Sequence, residues 1–176
     1  IRRLEVCWSN NLFDWERTKK SILPNKLWIS TRDPHIMKGN DGFYWIHLVS
    51  TGNGTQKQSE VIRIKTKDFL SFTNPQVILG VPDCKWATLM ESPFLQLHNN
   101  IYYLFYTYAH RHYNETLVIP STDPNHFEFE NAITTLFSHA AEIFSFHGKD
   151  YITSCGPEDS SVLNQHCISI AELKWN

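Results

Sequence analysis

The chain has 176 residues, enough for one domain with a real core and too few for two comfortable ones. A formal net charge of -2, with 19% of residues charged, gives no electrostatic basis for binding nucleic acid or an anionic membrane. No apolar run approaches the roughly 20 residues that span a bilayer.

In chain order, Leu4-Glu5-Val6-Cys7 reads as a strand, followed by a polar turn at Ser9-Asn10-Asn11-Leu12 and a closing Trp15. Ile1-Arg2-Arg3 runs straight into that strand with neither an initiating Met nor a signal peptide, so the sequence is expected to begin inside a structural unit. Arg32-Asp33-Pro34-His35-Ile36 opens the next strand, which turns at Lys38-Gly39-Asn40-Asp41-Gly42 into the aromatic and β-branched run Phe43-Tyr44-Trp45-Ile46-His47-Leu48-Val49. Val61-Ile62-Arg63-Ile64 follows and leads through Thr66-Lys67-Asp68-Phe69 to Phe72.

The same order then returns. Glu91-Ser92-Pro93-Phe94-Leu95 passes a turn at His98-Asn99-Asn100 into Ile101-Tyr102-Tyr103-Leu104-Phe105-Tyr106-Thr107. Leu117-Val118-Ile119 leads through Ser121-Thr122-Asp123-Pro124 to Phe127. A third pass runs from His139-Ala140-Ala141-Glu142-Ile143-Phe144 through His147-Gly148-Lys149 and Tyr151-Ile152-Thr153 to Ile168-Ser169-Ile170-Ala171 and Trp175. Helical periodicity is weak, and only the window Asn131 to Ser138 is ambiguous.

Four short strands per repeat of roughly 50 residues is the pattern of a β-propeller blade. The expected fold is all-β, a single partial propeller domain over 1–176. A half blade over about 1–28 precedes blades over about 29–80, 81–134 and 135–176, about three and a half in all. A ring closes with about four blades or more, so the chain is expected to be a piece of a larger propeller, to pair with another chain, or to close in an unusual way.

The four cysteines, Cys7, Cys84, Cys155 and Cys167, form no CxxC pair, which argues against a zinc site. Cys155 and Cys167 flank a polar loop and could either bridge it or remain thiols. Two sequons, Asn53-Gly54-Thr55 and Asn114-Glu115-Thr116, fall in loops and hint at an extracellular or periplasmic location, with a cytoplasmic one left open. His110 and His112 lack a third ligand nearby, so no metal is expected there.

The residues that open the repeats carry the chemistry. Innermost strands line the central channel of a propeller, so the openings at Asp33, Glu91 and His139 are expected to converge at one mouth from equivalent blade positions. An Asp and a Glu facing across a polar pocket suit glycoside hydrolysis, in which one carboxyl protonates the leaving oxygen while another acts as nucleophile or base or stabilises the transition state. Arg32 would help keep Asp33 ionised, and a Glu in a more apolar setting would retain its proton.

The chain resembles the five-bladed propeller glycosidases of the β-fructosidase and arabinanase superfamily. The match lies in Arg32-Asp33-Pro34, Glu91-Ser92-Pro93, His139-Ala140-Ala141-Glu142 and blade endings of the Ser9-Asn10-Asn11-Leu12 to Trp15 type, and covers nearly the whole chain. The resemblance implies Asp33 as transition-state stabiliser or pKa modulator and Glu91 as general acid. His139 would point into the axial channel, near the sugar or a central ion; otherwise no cofactor is expected. It also implies a third carboxylate, an Asp at the start of the first blade. That residue would precede Ile1, so this chain by itself is expected to be inactive.

Arg32, His35, Trp86, Tyr106 and His139 are the candidate sugar-binding residues, although propeller aromatics mostly pack between blades. The expected substrates are furanosides or pentosides of the fructan, arabinan or xylo-oligosaccharide type. The alternatives are a non-catalytic carbohydrate-binding propeller and a protein-interaction scaffold, the latter leaving the acidic residues at the blade openings unexplained.

Overall fold

The computed structural model describes residues 4–23, 31–50, 59–81, 90–108, 115–155 and 168–175. They form thirteen strands in four antiparallel sheets, each strand paired with its neighbour in sequence. The first sheet joins β1 (Glu5–Trp8) and β2 (Glu16–Ser21). The second is β3 (Arg32–Lys38), β4 (Tyr44–Ser50), β5 (Ser59–Thr66) and β6 (Gln76–Val81). The third repeats it with β7 (Met90–His98), β8 (Ile101–Tyr108), β9 (Glu115–Ser121) and β10 (Thr134–Phe137). The fourth is β11 (Ile143–Phe146), β12 (Lys149–Cys155) and β13 (Ile168–Leu173). The window that was ambiguous in sequence holds the end of a single 3-10 turn, Phe129–Asn131, and then β10. No described helix is long and apolar enough to cross a membrane.

These sheets are the blades of a β-propeller. The middle strands of the second blade, β4 and β5, are almost uniformly buried because they are covered on both faces by other blades, the condition that replaces alternation with uniform burial. β4 is buried from Trp45 to Ser50. One face of the second blade puts Ile46, Leu48, Ile62 and Ile64 against Ile22, Leu4 and Val6 of the first. The other puts Trp45, Val49, Val61 and Leu79 against Met90, Leu95, Leu104 and Ile119 of the third. β3 and β4 both pack on β7, which brings the opening strands of the second and third blades together.

Polar staples reinforce these seams. Arg63, 1% exposed, lies over the Trp45 ring and donates from Nη1 to Pro124 O at 3.0 Å and from Nη2 to Asn125 Oδ1. Trp175 stacks on His98 of the third blade, while its indole N–H donates to Asp150 Oδ2 at 2.7 Å and so clasps the fourth blade to the third.

The recurring blade ending is a capped turn. Thr66 Oγ1 accepts from Phe69 N at 2.8 Å, and Asp68 Oδ1 accepts from Leu70 N and Ser71 N, both at 2.8 Å. The Ser71 and Leu70 amides hold the Asp68 carboxyl down at about 2. Ser9 and Asn11 build the same turn, with Ser9 Oγ accepting from Leu12 N at 2.8 Å and Asn11 Oδ1 from Phe13 N at 2.9 Å. Leu12 and Phe69 occupy the same left-handed position, at φ 66 and φ 56. The cadence seen in the sequence is therefore a hydrogen-bonding requirement of the turn.

Leu104 is fully buried between the second and third blades. Leu104→Ala is expected to lower unfolding free energy by about 2–5 kcal/mol in urea denaturation of the full-length protein; a change under about 1 kcal/mol would mean that the seam is not packed as described.

Candidate active site

Each inner strand opens on a bulge. In β3 the register steps from Arg32↔Val49 to His35↔His47, three residues against two. In β7 it steps likewise from Glu91↔Thr107 to Phe94↔Phe105. In the fourth blade the backbone bonds Cys155 N to His139 O and Thr153 N to Glu142 O, both at 2.9 Å, reproduce the step. The residue after each opening is left-handed without being glycine: Asp33 at φ 57, Ser92 at φ 49 and Ala140 at φ 51.

This register corrects the alignment expected from sequence. Arg32, Glu91 and His139 are the equivalent residues, while Asp33 is equivalent to Ser92 and Ala140. The extra bulge residue turns consecutive side chains in different directions, so a shared triplet does not mean a shared side-chain position. Asp33 and Glu91 still meet, but through an offset of one residue.

Arg32 links them. Its Nη2 lies 3.2 Å from Glu91 Oε1 and donates to Met90 O at 2.9 Å, while its Nε stands 3.5 Å from Asp33 Oδ2. Asp33 Oδ2 also accepts the Ser92 amide at 3.0 Å. The other Glu91 oxygen, Oε2, is 3.9 Å from His139 Nε2. Side-chain exposure is 20% for Arg32 and Glu91, 30% for Asp33 and 12% for His139, so the cluster is mostly enclosed yet keeps access to solvent. Two carboxylates, a guanidinium and an imidazole thus converge from three successive blades. Such a group can transfer a proton and hold a polar ligand.

Two of the expected sugar-binding residues are placed elsewhere. Tyr106 has no exposed surface and belongs to the core between the second and third blades, so it cannot stack on a ligand. His35 is turned into the same seam, against Phe94 at 4.2 Å, and its Nδ1 accepts the Leu95 amide at 3.3 Å. His35 Nδ1 also lies 3.4 Å from His47 Nδ1. Since the first nitrogen is an acceptor, the His35 ring is neutral with its proton on Nε2, and His47 Nδ1 must be the donor. Trp86, the His110 and His112 pair, both sequons, Cys84 and Cys167 lie outside the described residues, or in part so for the second sequon. Among the described residues no three His, Cys, Asp or Glu side chains come together as metal ligands.

No protein-family model and no curated protein sequence matches the chain. Solved structures do. A thermostable family-43 glycoside hydrolase superposes with a TM-score of 0.68 at 16% identity, over 92% of this chain and 60% of its own. An α-L-arabinanase from Cellvibrio cellulosa, solved with arabinohexaose, gives 0.63 at 17% over 92% and 60%. A family-32 β-fructofuranosidase from Bombyx mori gives 0.62 at 18% over 85% and 35%. The chain therefore spans 60% or less of the length of these three structures. At such identities the likeness is one of fold: the chain matches part of the β-propeller of these glycosidases.

The histidine pair makes stability depend on pH. Burial pushes His35 down to about 4 and holds His47 well below its usual range, the latter helped by His35 and Arg63. Between 6.5 and about 4 the unfolded chain binds protons that the folded chain refuses, so stability should fall as pH drops through that window, by at most about 1.4 kcal/mol per pH unit per histidine. Urea midpoints from pH 7 to 4 test this, with His35→Leu flattening the decline; an unchanged slope in the variant would show that His35 takes no part.

Proposed function

We propose that this chain carries part of the active site of a glycoside hydrolase acting on furanosides or pentosides, with Glu91 as general acid and Asp33 as its modulating carboxylate. The observation that carries the reading is the setting of Glu91: Arg32 holds Oε1, and Oε2 lies 3.9 Å from His139 Nε2 on a side chain that keeps 20% of its surface exposed. The fold supports it, since the matched structures bear the names of arabinanase and β-fructofuranosidase.

In this reading the glycosidic oxygen takes its proton from Glu91 Oε2, the oxygen beside His139. Asp33, held by the Ser92 amide and by Arg32, keeps a fixed negative charge near the sugar carbon as positive charge develops there. Arg32 fixes the two carboxylates relative to each other and orients the sugar. The reaction needs a further carboxylate to attack the anomeric carbon or to activate water, supplied in this reading by a neighbouring blade outside the described residues.

Glu91→Gln keeps the shape of the side chain and removes the proton. In the complete protein it is expected to lower kcat on arabino-, fructo- or xylo-oligosaccharides by about 10²–10⁴-fold, with an unchanged circular dichroism spectrum. Wild-type rates in the folded variant would remove Glu91 from the chemistry.

A further inference from the structure

The bulge amides of the third and fourth blades are satisfied by different means. Ser92 N–H reaches Asp33 Oδ2 in the second blade, whereas Ala140 N–H donates to Thr107 Oγ1 in the third at 3.0 Å. Thr107 sits opposite Glu91 in the β7–β8 register, the place that Val49 holds opposite Arg32. Valine offers no oxygen. In the second blade the bulge residue Asp33 supplies the acceptor instead.

Thr107 does not act alone. Its hydroxyl lies 3.5 Å from that of Thr116, and Thr116 Oγ1 donates to Ser138 O at 2.8 Å. Thr116 spends its proton on that carbonyl, so Thr107 must be the donor between the two hydroxyls, which leaves a lone pair of Thr107 Oγ1 for the Ala140 amide. Ser154 Oγ accepts the His139 amide at 3.0 Å. Three consecutive backbone groups, Ser138 C=O, His139 N–H and Ala140 N–H, are thereby held by three hydroxyls. Thr107 is 0% exposed and Thr116 1%, so bulk water does not stand in for either.

We propose that Thr107 is a positioning residue of this site: together with Thr116 it locks the left-handed turn that carries His139, and so keeps the imidazole beside Glu91 Oε2. The effect on catalysis rests on the glycosidase reading above, while the locking of the turn stands independently of it. A left-handed alanine has no conformational preference of its own for this geometry, and the turn depends on the partners that hold it.

The test uses Thr107→Val, which keeps the side-chain shape and deletes the hydroxyl, and Thr107→Ser, which restores it, in the complete protein. The first readout is hydrogen exchange at the Ala140 amide by NMR; the second is kcat and KM on an arabino-oligosaccharide. Thr107→Val is expected to speed Ala140 exchange by about tenfold or more and to lower kcat about tenfold with KM within about twofold, and Thr107→Ser is expected to recover both. If Thr107→Val does not fold, Thr116→Val carries the same two readouts. Wild-type exchange at Ala140 in a folded variant would overturn the proposal, as would faster exchange with an unchanged kcat. A wild-type protein that hydrolyses no glycoside would refute the functional reading alone, since exchange at Ala140 still decides whether Thr107 holds the turn.

Discussion

The left-handed residue after each inner-strand opening is the constraint on which the site depends. Asp33, Ser92 and Ala140 all adopt positive φ with a Cβ attached, a conformation that costs about 1 kcal/mol or more each unless the surroundings fix it. The bulge also frees a backbone amide that the sheet ladder cannot satisfy. In the third and fourth blades that amide is met from the preceding blade, by Asp33 and by Thr107. Strain in one blade is offset by a side chain of another.

Blade packing and site geometry are consequently one problem. Arg32 belongs to the second blade, yet it holds a carboxylate and a carbonyl of the third. His139 belongs to the fourth and meets Glu91 of the third. Farther from the mouth, the Arg63 fork, the Leu95 amide bound to His35 and the Trp175 clasp fix the seams between blades. A blade displaced by an ångström would part Arg32, Glu91 and His139, which gives the buried polar contacts a bearing on the geometry of the site as well as on stability.

Much of this was legible in the sequence, because the signals were local. Strand runs, turn residues and the Ser-x-Asn or Thr-x-Asp endings reflect requirements met within a few residues, and the three opening triplets marked the inner strands. The offset between Asp33 and Glu91 was not legible. It arises from a bulge, and nothing in Arg32-Asp33-Pro34 announces which residue is the extra one. Tyr106 was misplaced for a related reason: β8 is buried on both faces, so its residues show no alternation that would separate core from channel. Thr107 passed unnoticed because a threonine in a strand has an ordinary explanation, and its role depends on a partner in the next blade. The sequence pattern thus located the mouth of the propeller but could not orient the side chains within it.

The most direct test of Glu91 as the acid compares two leaving groups in the complete protein. A natural oligosaccharide needs a proton on its departing oxygen, whereas a dinitrophenyl glycoside of the same sugar leaves as a stable anion and does not. Glu91→Gln should lose about 10²-fold or more on the first and less than about tenfold in the bond-cleaving step of the second. Equal losses on both substrates would contradict the account, because they would show that Glu91 contributes something other than a proton.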